Sequence, residues 1–314
     1  MTTRILVWNA NPTLDVVSEV DGLRVGQVQR ANTQGFSAGG KGTLVVRALT
    51  ILGVDCLGVA PVAGPTGEVV ARLLQHESLP FELSKVSGQT RAAVSIVDRE
   101  KSIDTVINGP GPETHDAAWR AHVESVVRHL ESGAFGTLVV AGRPPLSSST
   151  ADLVRVCDEA KLAGMRVALD VSSPVLEVAL QMRPWLVKVN VEEGRAVLAA
   201  ADENTGGDPV AKLQNLGASN VVLTDGAEPI RGLLNGVSFR GFPPAVQVRS
   251  AVGCGDCFLA GLLYGLSNYE GDPEEVVRWA MAVASAAAET AQPGYFSAER
   301  ANELRGIATV ARGA

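Results

Sequence analysis

The segment 250–261, which reads SAVGCGDCFLAG, contains the residue types most suited to chemistry. Gly253 and Gly255 allow the backbone to turn tightly, and an apolar helical pattern begins at about Asp256. Main-chain N–H groups at a helix N-terminus can hold an anion, and an aspartate beside that anion could take a proton from an attacking hydroxyl group. Aspartate is also favoured at helix N-termini for hydrogen bonding alone, so this segment by itself leaves a catalytic and a capping role open.

The same segment contains Cys254 and Cys257, a C-x-x-C pair that elsewhere indicates a redox couple or half of a zinc site. The chain has no second C-x-x-C pair, and its 4 histidines are not at ligand spacing from this one. A metal or redox role is therefore the weaker interpretation of these cysteines.

A second glycine-rich segment, residues 38–42 (AGGKG), precedes a helical pattern. A glycine turn that opens a helix lets a ligand approach the main chain closely. The segment is not a Walker A motif, because Lys41 is followed by glycine and not by serine or threonine. Taken alone, the segment is better explained by a tight turn without function.

The elements that must position these segments alternate along the chain. Short β-branched runs predict buried parallel strands at residues 5–8, 138–141, 167–171, 186–190 and 221–224. Helical patterns are found at 42–52, 67–76, 117–130, 150–163, 191–200 and 209–216, and then in succession at 255–266, 273–290 and 297–308. This alternation predicts a doubly wound α/β sheet, a fold that binds its ligands at the carboxyl ends of the strands.

Two segments break the alternation. Residues 15–37 and 90–107 show period-two patterns without intervening helices. We expect them to form antiparallel strands that stand off the main sheet as a small lid over the ligand crevice. No internal repeat or long linker divides the chain, so we expect a single domain over residues 1–314 with the lid inserted into it.

The overall composition narrows the class of protein. Apolar residues make up 46% of the chain and charged residues 19%, as in globular proteins. A net charge of −7 without a Lys/Arg-rich run argues against nucleic acid as a partner, because binding a duplex needs a basic surface. The N-terminus does not resemble a signal peptide and no apolar stretch is suited to span a bilayer, so we expect a cytoplasmic protein without a membrane partner.

Several segments together resemble the ribokinase-like carbohydrate kinases. The matching motifs occur in order: NPTLD at 11–15, AGGKG at 38–42, QTR at 89–91, NGPGP at 108–112, DVSS at 170–173, KVNVEE at 188–193, LTDG at 223–226 and VGCGDCFLAG at 252–261. The chain is most similar to the phosphofructokinase B branch, which includes 1-phosphofructokinase and tagatose-6-phosphate kinase. The resemblance implies a ribokinase-like three-layer α/β/α fold with a mostly parallel central sheet and a small β-strand lid. It also implies ATP and Mg²⁺ as cofactors.

The resemblance further implies a role for each matching residue. Asp256 would deprotonate the substrate hydroxyl group. The main chain of the three preceding residues would stabilise the transferred phosphoryl group: Gly253, Cys254 and Gly255. The nucleotide-binding positions of the family fall on Lys188, Asn190, Thr224 and Gly226. The position that helps to hold Mg²⁺ through water falls on Glu193. The positions that bind sugar hydroxyls fall on Asp15, Gly39, Gly40 and Lys41.

The chain departs from the family mainly on the substrate side. Leu44 stands where the family usually has asparagine, and Ser95 replaces a phosphate-binding lysine. The loop 141–145 reads AGRPP where the family has SGSLP. Losing polar groups in this way can change specificity sharply. Three arginines could compensate, because guanidinium groups match the oxygens of a phosphate: Arg30 and Arg91 on the expected lid strands and Arg143 in the altered loop.

Three functions remain open on the sequence alone. The first is a kinase that acts on a phosphorylated ketohexose: fructose-1-phosphate, fructose-6-phosphate or tagatose-6-phosphate. The second is a ribokinase- or nucleoside-kinase-like enzyme with an unphosphorylated substrate, which Ser95 favours and which Arg30 and Arg91 oppose. The third is a catalytically weak sugar-binding or regulatory protein, which Leu44 and the altered loop 141–145 favour and the intact segment around Asp256 opposes. By analogy with relatives, pairing of lid strands predicts a homodimer.

Overall fold

A ten-stranded sheet forms the centre of the described part of the molecule. The computed structural model describes residues 4–101, 103–145, 147–200 and 208–313. Across the sheet the strands are β14 (Thr309–Arg312), β13 (Val237–Phe242), β12 (Glu228–Leu234), β11 (Asn220–Asp225), β10 (Leu186–Asn190), β9 (Arg166–Asp170), β8 (Thr137–Ala141), β1 (Ile5–Trp8), β4 (Cys56–Val62) and β5 (Phe81–Lys85). The strands from β11 to β5 run parallel, whereas β12, β13 and β14 extend the sheet in antiparallel fashion.

Helices cover both faces of this sheet. One face is covered by α1 (Lys41–Ile51), α8 (Cys254–Asn268), α9 (Pro273–Ala288) and α10 (Ala298–Arg305). The other face is covered by α3 (Ala117–Glu131), α4 (Thr150–Leu162), α5 (Val175–Gln181), α6 (Val191–Ala200) and α7 (Pro209–Asn215). The remaining helix, α2 (Gly64–His76), packs beside the lid strands.

Alternation of side chains along the strands builds a core on each face of the sheet. In β1, Ile5 and Val7 belong to the core that includes α8 and α9, whereas Leu6 and Trp8 belong to the core that includes α3 and α4. Because both faces are buried, the parallel strands are continuous apolar runs, which is why the sequence predicts them. The expected three-layer α/β/α class with a mostly parallel sheet is confirmed. No helix in the described ranges is both long and apolar enough to cross a membrane.

The lid is a second sheet of four strands in the order β3–β2–β6–β7. Its strands are β2 (Thr13–Val20), β3 (Thr33–Gly39), β6 (Arg91–Asp98) and β7 (Ile103–Asn108). Within each hairpin the strands are antiparallel, as expected, but β2 and β6 pair in parallel across the middle. Within the segment 15–37, residues 21–32 form the loop that joins β2 to β3.

Candidate active site

The N-terminus of α8 presents unpaired main-chain N–H groups. Gly253, its N-cap residue, has φ 80°, a left-handed conformation that glycine adopts without strain. No described residue accepts a hydrogen bond from the N–H of Gly253 or Gly255, so both groups are available to an anion. Asp256 follows in the first helical turn and is buried, with 5% of its surface exposed.

Two ammonium groups and three carboxylates meet beside this helix end. The Nζ atom of Lys41 lies 2.7 Å from Oδ1 of Asp170 and 3.5 Å from Oε1 of Glu193. The Nζ atom of Lys188 lies 2.9 Å from Oδ2 of the same Asp170. Asp256 is close enough to act electrostatically on Lys41. The structure therefore brings together one expected substrate-side lysine, one expected nucleotide-side lysine and the expected base.

Lys188 also lies against the turn that begins α8. A Cβ atom on Gly255 would lie 2.8 Å from Nζ of Lys188, so the ammonium group sits directly beside the main chain of that residue. The side chain is 5% exposed and is held by Asp170. This location fits a lysine that interacts with phosphate oxygens bound to the turn.

Asp256 has the electrostatic properties of a proton acceptor near neutral pH. Burial raises the pKa of Asp256 to about 7, and repulsion from Asp170 adds to the effect. Lys41 and Lys188 offset this rise in pKa only in part. Oδ1 of Asp256 is buried and has no hydrogen-bond partner among the described residues. A carboxyl group with a pKa near the working pH and an unpaired oxygen is suited to general base catalysis.

Asp170, the last residue of β9, is the central member of the cluster and was not among the expected site residues. Burial alone would raise its pKa, but the ammonium groups of Lys188 and Lys41 outweigh burial and lower it. The fully buried side chain therefore stays ionised and holds both lysines in place. Its position at the end of a buried strand, as the first residue of the DVSS motif, was the available sequence signal.

Asn190 and Glu193 fix the connection between β10 and α6. Oδ1 of Asn190 accepts a hydrogen bond from the N–H of Glu193 at 2.7 Å, and Oε2 of Glu193 accepts one from the N–H of Asn190 at 3.0 Å. This reciprocal pair is a capping box, which satisfies two N–H groups at the start of a helix. It leaves Oε1 of Glu193 directed toward Lys41.

Thr224 and Gly226 lie next to this connection. Thr224 pairs in register with Asn190, and its Oγ1 donates to the main-chain oxygen of Val189 at 3.5 Å. Gly226 follows in an exposed turn with φ 58°. Three of the residues expected to bind nucleotide therefore lie along the carboxyl ends of two adjacent strands.

Asp15 and Arg91 form the base of the lid. A Cβ atom on Gly39 would overlap the carboxylate of Asp15, so this close approach requires glycine. Burial raises the pKa of Asp15 to about 6, although Arg91 opposes the rise. Arg91 donates through Nη1 to Oδ1 of Asn108 at 3.1 Å and through Nε to the main-chain oxygen of Asn11 at 3.3 Å. Charged groups that could bind a polar substrate are therefore collected under the lid.

Gly40 makes the turn between this part of the lid and α1. It is the N-cap of α1 with φ 90°, and a Cβ atom there would lie 3.2 Å from the main-chain oxygen of Asn11. Lys41 follows as the first residue of the helix, which directs it toward the charge cluster. The glycines of the AGGKG segment thus join the lid to the cluster.

The altered substrate-side positions lie around the same space. Leu44 is 5% exposed and packs its methyl groups against Gly253 and Gly294, so it forms an apolar wall behind the turn that begins α8. Ser95 lies two residues beyond Ala93, which pairs in register with Asp15, and so projects from the same face of the lid. These residues bring no charge to the substrate side.

The altered loop 141–145 borders Lys41. Gly142 has φ 90°, and a Cβ atom there would lie 3.3 Å from Cβ of Lys41. The main-chain oxygen of Arg143 accepts a hydrogen bond from Nδ2 of Asn11 at 3.4 Å, while its side chain is exposed. The loop is therefore next to the site, and its guanidinium group is in solvent.

Arg30 is not on a lid strand, contrary to expectation. It lies exposed in the loop 21–32, which leaves the β2–β3 hairpin at the pair Glu19–Thr33. That pair is four residues along β2 from Asp15, or about 13 Å at the usual rise of a strand. Of the three arginines considered, only Arg91 has its guanidinium group beside Asp15.

The C-x-x-C cysteines have no sign of redox or metal reactivity. Burial raises the pKa of Cys254 to about 11 and raises that of Cys257 well above its usual value. A thiol with a raised pKa is a poor nucleophile and a poor metal ligand. No group of three or more His, Cys, Asp or Glu side chains in the described ranges could hold a metal ion by itself.

Comparison with known proteins agrees with this geometry. The family model described as "pfkB family carbohydrate kinase" matches residues 2–300. A 1-phosphofructokinase from Vibrio cholerae is 27% identical over 310 residues, which cover 97% of this chain and 96% of that protein. The chain is thus similar to that enzyme over almost its full length.

Solved structures show the same relationship. Phosphofructokinase-2 from Escherichia coli in complex with fructose-6-phosphate superposes with a TM-score of 0.86 at 25% identity, over 97% of this chain and 99% of that one. The tetrameric inhibited form of the same enzyme superposes with a TM-score of 0.84 at 25% identity, over 97% of this chain and 99% of that one. Ribokinase from Thermotoga maritima shares the fold, with a TM-score of 0.78 at 19% identity over 96% of this chain and 99% of that one. The chain belongs to the pfkB family of carbohydrate kinases.

Proposed function

We propose that this protein transfers the terminal phosphoryl group of ATP to a hydroxyl group of a phosphorylated ketohexose. The observation that carries the proposal is the arrangement around Asp256, whose buried Oδ1 has no described partner and lies at the start of α8 beside unpaired N–H groups. Phosphoryl transfer depends mainly on positioning and on stabilising charge. A base, an anion-binding turn and nearby ammonium groups supply these requirements.

The transfer would proceed with Asp256 as the proton acceptor. The substrate hydroxyl donates its proton to Oδ1 as its oxygen forms a bond to the terminal phosphorus atom. The bond between that phosphorus and the bridging oxygen breaks, and ADP leaves with the electron pair. The N–H groups of Gly253 and Gly255 would hold the equatorial oxygens of the transferred group, while Cys254 lies between them. Lys188 would neutralise charge on the phosphates, and Lys41 would do so from the substrate side.

ATP would lie along the carboxyl ends of β10 and β11. Asn190, Thr224 and Gly226 line this edge, and their adjacency in the sheet supports a continuous nucleotide-binding strip. Ligands of open α/β sheets bind at such edges.

The residues around Glu193 fit a hydrated Mg²⁺ ion. Oε2 of Glu193 is engaged by the N–H of Asn190, and Oε1 lies 3.5 Å from Nζ of Lys41. Mg²⁺ keeps several waters and is commonly held by one or two carboxylates together with substrate phosphates. Glu193 would therefore hold the ion through water, and the ion would supply neutralisation of phosphate charge.

Asp15, Gly39 and Gly40 would bind the sugar. The ionised carboxylate of Asp15 can accept hydrogen bonds from sugar hydroxyls, and glycine at position 39 keeps it in place. Arg91 lies beside Asp15 and can bind a substrate phosphate. The similarity to 1-phosphofructokinase and phosphofructokinase-2 supports fructose-1-phosphate and fructose-6-phosphate as the first candidates, with tagatose-6-phosphate as a third.

An unphosphorylated sugar or nucleoside is the second candidate substrate. Ser95 stands on the Asp15 face of the lid without a positive charge, and the side chain of Arg143 is exposed. With Arg30 in a distant loop, Arg91 is the one described arginine of the three that stands at the base of the lid. A substrate without a phosphate group would need no cationic side chain other than Arg91 at the base of the lid.

A substrate panel separates the two candidates. ADP release is measured with ATP and Mg²⁺ against each ketohexose phosphate and against the matching sugars and nucleosides. We expect turnover on a ketohexose phosphate, and we expect Arg91→Gln to raise its KM about tenfold or more, because a charge-assisted hydrogen bond is lost. Turnover confined to unphosphorylated compounds would reject the phosphate-binding role of Arg91 and select the second candidate.

The lid also supports a homodimer. Phe36, Val16, Val94 and Ile107 pair in register across its four strands and project from the face opposite Asp15. An exposed apolar row on a sheet is suited to pack against a second copy. We further propose that residues 1–314 act as one domain and that the protein is cytoplasmic, where its 4 free cysteines would stay reduced.

A further inference from the structure

A groove rich in arginine lies at the edge of the sheet formed by β11, β12 and β13. Its volume is about 410 Å³, and it is lined by Val191, Arg195, Asp225, Pro229, Arg231 and Arg240. Small-molecule sites commonly have volumes of about 300–1,000 Å³. The groove is therefore large enough for a small ligand, and three guanidinium groups dominate its lining.

These guanidinium groups have no ion-pair partner among the residues that the structure describes. In the described ranges, no carboxylate lies within ion-pair distance of Arg195, Arg231 or Arg240. The only described acidic residue in the lining is Asp225. This concentration of positive charge occurs in a chain whose net charge is −7.

The strand register makes the charge concentration unfavourable without a ligand. Arg231 on β12 and Arg240 on β13 are direct partners in the antiparallel ladder. Like charges directly opposite each other destabilise a sheet. Arg240 is also stacked over the ring of Phe242, with 5.5 Å from Cζ to the ring centroid, which restricts its orientation. A bound anion would relieve the repulsion.

The sheet separates this groove from Asp256. Ile230 and Phe239 lie in the core with α8 and α9, so their neighbours Arg231 and Arg240 project from the opposite face. Leu223, which pairs with Arg231, lies in the core on that opposite face. A ligand in the groove therefore lies on the other side of the sheet from the turn that begins α8, where the transferred phosphoryl group would be held.

We propose that the groove is a second anion site, separate from the active site, which binds a small ligand carrying two or more phosphate groups. Arg231 and Arg240 would bind phosphate oxygens from adjacent strands, and Arg195 on α6 would bind from the facing helix. Guanidinium groups match phosphate oxygens with paired hydrogen bonds, and three of them suit more than a single phosphate. A nucleoside diphosphate and a sugar bisphosphate both carry two phosphate groups and would both suit this site.

Calorimetric titration with inorganic pyrophosphate tests the site on the full chain. The double variant Arg231→Gln/Arg240→Gln should weaken binding by about tenfold for each guanidinium removed. Its turnover without pyrophosphate should stay within about twofold of wild type, because neither arginine touches the proposed active site. The matched control Arg72→Gln, at an exposed arginine of α2, should bind as wild type does.

The variant Lys188→Gln separates this site from the active site, since it should keep the pyrophosphate affinity of the groove. In that background, titrations with ADP and with fructose 1,6-bisphosphate show whether a nucleotide or a sugar supplies the phosphates. Pyrophosphate binding that is absent in wild type, or unchanged in the double variant, would overturn the proposal. Loss of both pyrophosphate binding and basal turnover in the double variant would make the groove part of the nucleotide site and would also overturn it.

Discussion

At the residue scale, the candidate site is governed by a small imbalance of buried charge. Two ammonium groups, Lys41 and Lys188, face the carboxylates of Asp170, Glu193 and Asp256. Asp170 makes the short contacts with both lysines. Asp256 makes no such contact, and its pKa is raised to about 7. Burial is the main cause of the raised pKa of Asp256, and repulsion from the ionised Asp170 adds to it.

This imbalance predicts a pH-dependent effect of Asp256→Asn on stability. Burial raises the pKa of Asp256 to about 7 in the folded protein, so the wild type loses stability as pH rises from the unfolded pKa toward 7. Asparagine resembles the protonated form at every pH. The Tm of the variant relative to wild type should therefore increase between pH 5 and pH 8, as measured by calorimetry.

Asp98→Asn is the control, because the pKa of Asp98 is shifted in the opposite direction, downward. Hydrogen bonds from main-chain N–H groups, first of all that of Leu23, lower the pKa of Asp98. Its carboxylate is therefore ionised and stabilising at both pH values, and its loss should lower Tm by a similar amount at each. A Tm difference for Asp256→Asn that does not change with pH would contradict the raised pKa.

Residue types and motifs predicted most members of the charge cluster, but not its central one, Asp170. Asp170 and Lys41 are 129 positions apart, and nothing in either local segment indicates that they meet. The prediction that Arg30 lies on a lid strand was wrong for a similar reason. Period-two alternation does not show where the strands of a hairpin end and the loop begins. Long-range pairing and loop boundaries are set by tertiary structure.

At the element scale, α1 is held by a buried ion pair between Arg47 and Glu77. Arg47 is 2% exposed and donates to both carboxylate oxygens of Glu77, at 2.6 Å and 3.0 Å, and to the main-chain oxygen of Ala38 at 2.8 Å. Its guanidinium group also lies 4.8 Å from the ring centroid of Tyr295. The helix that carries Lys41 is thereby fixed to the lid and to the segment after α9.

Arg47→Met should therefore destabilise the protein strongly. Removing one member of a buried pair leaves the carboxylate of Glu77 without its partner, at a cost of about 3 kcal/mol or more. The free energy of unfolding in urea measures this loss. Arg155→Met is the matched control, because Arg155 makes a similar two-bond contact with Glu124 at the surface, which is worth about 1 kcal/mol or less. Equal losses in the two variants would contradict the structural role of Arg47.

The elements themselves were predicted best where both faces of a strand are buried. The runs at 5–8 and 186–190 match β1 and β10, because continuous apolar sequence is required there. The antiparallel strands β12 and β13 were missed, since Arg231 and Arg240 interrupt their apolar pattern. The parallel pairing of the two lid hairpins also has no local signal.

At the scale of the whole molecule, the lid has two faces with different chemistry. One face carries Asp15, which pairs with Ser37 and Ala93, and the other carries the apolar row that ends at Ile107. One face is therefore suited to a sugar and the other to a second copy of the chain. Closing the site and forming the dimer would use the same small sheet.

Ile107→Glu should convert the proposed dimer to a monomer. Ile107 is 61% exposed, and a carboxylate buried at the interface would have no partner in the apolar row. Sedimentation velocity measures the change in mass. Ile307→Glu is the matched control, because Ile307 is 60% exposed and lies after α10, away from the lid. A dimer that persists in Ile107→Glu, or a wild type that is already monomeric, would contradict the proposed interface.

ADP release by wild type and by Asp256→Asn, with ATP, Mg²⁺ and the preferred ketohexose phosphate, tests the catalytic role of Asp256 most directly. Removing a general base should lower kcat by about 10² or more, while the KM for the sugar phosphate changes little. Calorimetric binding of the sugar phosphate to the variant confirms that the site is intact. A variant that keeps the wild-type kcat would contradict the assignment of Asp256 as the base, and a wild type that releases no ADP with any sugar phosphate or sugar would contradict the proposed kinase activity.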